Sequence, residues 1–347
     1  MIQKDKIDLS TLSEEELLKF RIKYLPLSIE GTWLADCVKQ LYEELDAKGI
    51  KFKPVCYLAD EWFSPDQDPQ IGIPFSLAHP ALIKLEKKMM REAEGETRAW
   101  CMMLLRHEAG HAINYAYKLY QTPDWKRVFG QFSKAYLDAY RFRPYSKSFV
   151  RHLEKFYAQC HPDEDFAETF AVWLTPGFDW RAIYKGWKAI AKLQYVEEVV
   201  LEIKDKPPLV KTGRKYRKAS TLNLTLSNYY KKKKHVYAED FPDYHDTNLT
   251  KIFAVKEKKD DSKLPFAYSI IKKYKEVIST NVSVWSGEKK FIINDLLETL
   301  ISRSRELGLL NPMSEQEAVL KVSIYVTALV MNYVHTGRFL RKQWIRS

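Results

Sequence analysis

His107-Glu108-Ala109-Gly110-His111 sets two imidazoles four residues apart with a carboxylate between them. On a helix, residues four apart share a face, so both rings can grip one metal ion. Glu108 then stands beside the metal, placed to take a proton from water that the metal activates. The chain has eight histidines in 347 residues, and chance alone gives such a motif on the order of 0.01 times in this composition. The bland alternative is a buried amphipathic helix carrying two hydrogen-bonded histidines.

A catalytic zinc ion usually takes three protein ligands and leaves a fourth position for water. The best source of the third is the stretch from His161 to Ala171. Pro162 followed by acidic residues is a helix-start signature, with Phe166, Phe170 and Trp173 as an apolar stripe. Glu164 and Glu168 are four apart and project from one face. One can bind metal while the other holds a ligating imidazole in its tautomer. Asp163 and Asp165 read as caps that complement the helix macrodipole. His161 is a rival ligand, but it precedes Pro162 and should lie outside the helix. Residue types alone leave open which carboxylate is the ligand.

These groups need a scaffold. From Thr97 to Tyr120 the chain lacks proline and is rich in helix formers, so it predicts the metal helix, with Trp100, Leu104 and Ile113 turned to a core. Gly110 inside it costs about 1 kcal/mol relative to alanine, which makes sense if something must approach the backbone there. Ile71 to Pro80 predicts a short apolar strand, and Pro74 within it argues for an edge. An edge strand just before a metal helix can bind an extended peptide by backbone pairing. His79 reads as structural. Val55 to Leu58 and Ile50 to Phe52 are further strand candidates, so the sheet should be small.

The two motifs together resemble the gluzincin type of zinc metallopeptidase, in particular bacterial zinc-binding metallopeptidases and, more distantly, the catalytic domain of anthrax lethal factor. The residues that carry the likeness are His107 to His111 and, 53 residues on, Glu164-Asp165-Phe166-Ala167-Glu168. It covers roughly residues 55 to 180. The resemblance implies one zinc per chain held by His107, His111 and Glu164, Glu108 as general base, and Glu168 supporting a histidine. It also implies that Tyr157, seven residues before Glu164, lies near the reacting carbonyl and donates to the developing oxyanion. A peptide or protein substrate is implied as well.

The net charge of +11 is concentrated. Residues 203 to 275 hold 19 Lys/Arg and 8 Asp/Glu, so the rest of the chain balances at zero. With Tyr216, Tyr229, Tyr230 and Tyr237 interleaved, this stretch admits nucleic-acid binding. A solvated linker or a loop wrapping the catalytic domain is favoured, because no nucleic-acid motif accompanies it. The aromatic run from Phe241 to Tyr244 suggests that part of it packs. Four scattered cysteines form no CxxC pair and read as reduced. The first residues lack an apolar signal core, and Val322 to Val334 is too short and interrupted for a membrane span, so the expected compartment is the cytoplasm.

The resulting expectation is an α+β protein, with a zincin-like domain of small mixed sheet and active-site helix. Residues 1–205 would form it with an N-terminal helical segment, 206–264 a basic linker or wrap, and 265–347 a C-terminal helical region. Leu296, Leu297, Leu300 and Ile301 mark one helix ending near Gly308, and Ser314 with Glu317 a capping-box start for another. The second functional reading is a catalytically silent zinc-containing binding module that contacts nucleic acid or an acidic partner. The third is a non-proteolytic zinc hydrolase. Retention of Glu108 argues against the second, since a structural zinc site needs no base.

Overall fold

A computed structural model describes residues 8–90, 92–136, 143, 146–237, 245–255 and 264–336. The chain divides into two compact units, Met1–Met89 with Ala93–Leu137 and Phe142–Lys231, and Met90–Glu92 with Asp138–Arg141 and Lys232–Ser347. The helices are α1 Glu14–Lys19, α2 Trp33–Ala47, α3 Pro80–Met90, α4 Arg98–Ala116, α5 Pro123–Phe129, α6 Pro162–Leu174, α7 Trp180–Ile183, α8 Ala189–Ile203, α9 Leu226–Tyr237, α10 Asp246–Ile252, α11 Ala267–Ser286, α12 Lys290–Glu306 and α13 Glu315–Thr336. Among the described residues there are two strands, β1 Val55–Ala59 and β2 Gln70–Pro74. The fold is thus mostly helical with a small sheet, consistent with α+β.

The sheet differs from the expected mixed one. β1 and β2 run parallel, from Val55 opposite Gln70 to Ala59 opposite Pro74. Among the described residues antiparallel pairing appears as isolated bridges, and those that touch this sheet are Phe63 with Gly72 and Ala59 with Lys218. β2 is also not the free edge that Pro74 suggested. The Gly72 N–H donates to the Phe63 carbonyl at 2.8 Å, so the segment after β1 folds back and covers that side. Pro74 ends the strand, and Phe75–Ala78 form a 3-10 turn instead of continuing it. His79 is structural, as expected: its Nδ1 accepts the Ala81 N–H at the start of α3. No strand forms at Ile50 to Phe52.

α4 begins where Thr97 caps it, its side chain accepting the Trp100 N–H. It stops at Ala116, short of Tyr120, because Lys118 turns left-handed (φ 52°) and the Tyr120 N–H bonds to Asn114 Oδ1 at 2.9 Å. Leu104 and Ile113 are buried as predicted, whereas Trp100 is only half-buried. A bidentate, buried ion pair ties the helix to α2: Arg106 donates from Nε and Nη2 to the two Glu44 oxygens, each at 2.7 Å. α6 opens with His161 as its cap and Pro162 in its first turn, and every residue from Pro162 to Leu174 is buried. α4 and α6 meet backbone to backbone: a Cβ placed on Gly110 would lie 2.7 Å from Ala167 Cα. The close approach that Gly110 implied is this helix crossing.

Residues 206–231 wrap the first unit. Ala116 O accepts the Leu209 and Val210 N–H groups, Asp68 accepts the Gly213 N–H, and Tyr229 donates to the Asp60 carbonyl. Arg217 pairs with Asp60 at 2.8 Å and Glu61 at 3.0 Å, so some of the basic charge is neutralised by the protein's own acidic loop.

In the second unit, α10 to α13 enclose a core of Leu249, Phe253, Ile271, Leu297, Val326 and their neighbours. Phe241 to Tyr244 lie outside the described residues. α12 ends at Glu306, with Gly308 at φ 61° just beyond. Only half of the expected capping box forms before α13: Ser314 Oγ accepts the Glu317 N–H, while the Glu317 carboxylate lies 3.0 Å from Lys321. α13 is longer than the apolar stretch marked in the sequence. By length and composition it could cross a membrane, yet Ala318, Val322, Val326 and Val330 pack into the core of this unit.

Candidate metal centre

The crossing of α4 and α6 brings the two motifs together. His107 Nε2 and His111 Nε2 lie 3.2 Å apart. Glu164 Oε2 sits 3.1 Å from the first and 3.2 Å from the second. All three side chains are buried, and they are the metal-capable cluster among the described residues.

Carboxylates orient the two imidazoles from behind. Glu168 Oε1 lies 2.8 Å from His107 Nδ1, and its Oε2 accepts the Leu153 N–H at 2.9 Å. Glu168 thus lies behind the ring of His107, one of the ligand candidates. Asp163 stands behind His111: its Oδ2 lies 3.0 Å from Nδ1, an ion-pair contact that falls short of hydrogen-bond alignment. Asn114 donates to Asp163 Oδ1 at 2.7 Å and the Tyr115 hydroxyl to Oδ2. The acidic run reads as helix capping, so Asp163 behind His111 is a site residue that sequence reasoning misses. With a carboxylate oxygen within 3.0 Å of Nδ1 on each ring, the Nε2 atoms face the shared centre.

His161 is not brought to that centre. Its Nδ1 accepts the Asp163 N–H at 3.1 Å and its Nε2 lies 2.6 Å from the Lys134 carbonyl. Both nitrogens are thus committed elsewhere, so His161 serves as cap rather than ligand. Tyr157 does stand close, its ring centroid 5.7 Å from that of His107. Tyr136, which no motif indicated, donates its hydroxyl to Glu164 Oε1 at 3.1 Å.

The electrostatics follow from burial. Burial opposes charge on His107, but hydrogen bonds to Glu164 and Glu168 outweigh it and raise the imidazole to about 9. Burial pushes the Glu108 carboxyl above the usual range, against the pull of His107 and His111. Glu108 Oε2 is buried with no hydrogen-bond partner, while the residue's backbone carbonyl accepts the Ser64 hydroxyl at 3.0 Å. Asp165 rises to about 7 through burial, opposed by Lys192 alongside it.

The donor set fits zinc. Bonds of about 2.0–2.1 Å at the tetrahedral angle separate neighbouring donors by about 3.3 Å, and the three separations here are 3.1, 3.2 and 3.2 Å. Two imidazoles and one carboxylate are also a ligand combination that catalytic zinc uses.

Residues 78–178 match the model of a family described as "Putative zinc-binding metallo-peptidase". The match spans both motifs and is the family that the sequence resembles. No curated protein and no solved structure matches the chain.

Proposed function

We propose that the protein is a zinc-dependent peptidase of the gluzincin type, with the first unit as a zincin-like catalytic domain. The observation that carries this reading is the convergence of His107 Nε2, His111 Nε2 and Glu164 Oε2, with Glu108 beside them holding an unpartnered oxygen. A zinc ion held by these residues would supply Lewis acidity toward the scissile carbonyl and toward water.

The chain's own groups supply the rest. Glu108 takes the proton of the attacking water and delivers it to the leaving nitrogen. A carboxyl raised by burial is suited to carry a proton in both directions near neutral pH. Glu168 and Asp163 hold the two rings so that their Nε2 atoms face the centre. Tyr157, whose ring centroid lies 5.7 Å from that of His107, would donate to the oxyanion. The peptide-binding edge passes from β2 to the Phe63–Ser64 segment, which pairs with Gly72 and touches the Glu108 backbone. The second unit is an accessory helical region. Clamping of Arg217 by Asp60 and Glu61 speaks against nucleic acid as the partner of that part of the basic segment.

The test is zinc content in wild type and Glu164→Ala, with peptide-library cleavage by wild type and Glu108→Gln. One zinc per chain, lost in Glu164→Ala, is expected. Cleavage should fall by on the order of 10²–10⁴-fold in Glu108→Gln while zinc is retained. Zinc without cleavage in the wild type would favour the silent binding module. No zinc in the wild type would overturn the reading.

A further inference from the structure

Tyr136 lies outside both motifs, yet its hydroxyl end reaches the centre of the site. It donates to Glu164 Oε1 at 3.1 Å, whereas Oε2 is the oxygen that faces both imidazoles. The residue is 54% exposed overall and the carboxylate residue it meets 6%. Its position is built rather than incidental. The phenol stacks on the His161 ring at 3.8 Å and 15°. His161 accepts the Asp163 N–H on Nδ1, so its remaining hydrogen is on Nε2 and donates to the Lys134 carbonyl at 2.6 Å. Phe132 packs on Tyr120 at 4.2 Å and pins the start of the same segment. Three anchors thus set one hydroxyl on one carboxylate oxygen.

A carboxylate can ligate a metal through one oxygen or both, and a donor held on one of them reserves the other. We propose that Tyr136 is a positioning residue that holds Glu164 to ligation through Oε2 alone. This inference rests on the metal-site reading above. It also gives His161 a role as the seat of Tyr136 instead of a ligand.

The experiment compares the full chain with Tyr136→Phe, which removes one oxygen and leaves the ring to stack. Zinc affinity is measured by competition with a chromophoric chelator, and the visible spectrum is recorded with cobalt(II) in place of zinc. The affinity should weaken on the order of 10- to 100-fold. Release of Oε1 should also raise the cobalt coordination number, which lowers the intensity of the visible bands. A residue that only packed would move neither readout, because packing resides in the ring. Equal zinc affinity and an unchanged cobalt spectrum would overturn the inference alone. Failure of the wild type to bind either metal would overturn the metal-site reading and this inference with it.

Discussion

Gly110→Ala tests the structural basis of the site, because local and tertiary effects predict opposite signs. Alanine is the better helix former by about 1 kcal/mol, so helix propensity alone predicts stabilisation. The new Cβ, however, would lie 2.7 Å from Ala167 Cα, 3.0 Å from Ala167 O and 3.2 Å from Phe170 Cβ. Carbon atoms in ordinary contact are about 3.5–4.0 Å apart, so α4 and α6 would have to separate by roughly 0.8 Å. The obstruction is backbone and cannot swing aside. Overpacking of this kind costs about 1–3 kcal/mol, which leaves a net loss of up to about 2 kcal/mol after the propensity gain.

The same displacement acts on the site, since α4 carries His107 and His111 and α6 carries Glu164. A misplacement of about 1 Å in a catalytic constellation costs on the order of 100-fold in rate. Thermal unfolding of the metal-free protein and chelator competition for zinc separate the two effects. A change of 1 kcal/mol shifts Tm by roughly 2–4 °C for a unit of this size. The expected result is a lower or unchanged Tm together with weakened zinc binding. A Tm raised by those few degrees with zinc affinity intact would refute the close crossing.

Two further outcomes follow from buried ionisable groups that are not themselves metal ligands. Glu44→Ala leaves Arg106 buried and unpaired, so denaturant unfolding should show a loss of about 3–5 kcal/mol; a loss below about 1 kcal/mol would mean the pair is not closed in solution. In the second unit, burial lowers His245 from 6.5 to about 4, against the favourable charge of Asp246, which Arg303 already pairs. Its Nδ1 lies 2.9 Å from the Tyr325 hydroxyl. Because the unfolded chain takes up the proton first, stability should fall as pH drops from about 6.5 towards 4. With partial solvent access the loss is about 2 kcal/mol, and it should flatten in His245→Asn; an equal pH slope in the variant would remove His245 as the cause.

What the sequence made legible was local. Helical spacing put His107 and His111 on one face, and Glu164 and Glu168 on another, because four residues nearly complete a turn. Pro162 marked the start of α6, and Gly110 marked a close approach without naming what approached. The parts that were not legible depend on partners far along the chain. Tyr136 meets Glu164 through an irregular segment that has no periodicity to read. Arg106 finds Glu44 across 62 residues. Asp163 has the composition of an N-terminal cap, and only the crossing at Gly110 and Ala167 turns it towards His111. Pro74 argued for an edge, but that side of β2 is covered by Phe63, whose return depends on the conformation of the loop between the strands.

The charge balance of α6 ties these observations together. Asp163, Glu164, Asp165 and Glu168 are all buried, and Glu108 is buried opposite them. An uncompensated carboxylate in such surroundings is strongly disfavoured. Arg106 cannot help, since Glu44 holds its guanidinium on both oxygens. Lys192 pairs with Asp165. That leaves Asp163, Glu164, Glu168 and Glu108 around two imidazoles, which without a metal can balance at most two of the four charges by taking up protons. A dication between His107, His111 and Glu164 would relieve the excess at the point where the donors already converge. Conventional caps would ask for acidic side chains at the exposed end of a helix, whereas here they are inside and each of the three on α6 other than the ligand has a specific partner. The burial of these acids is therefore better explained by a cation centre than by helix capping.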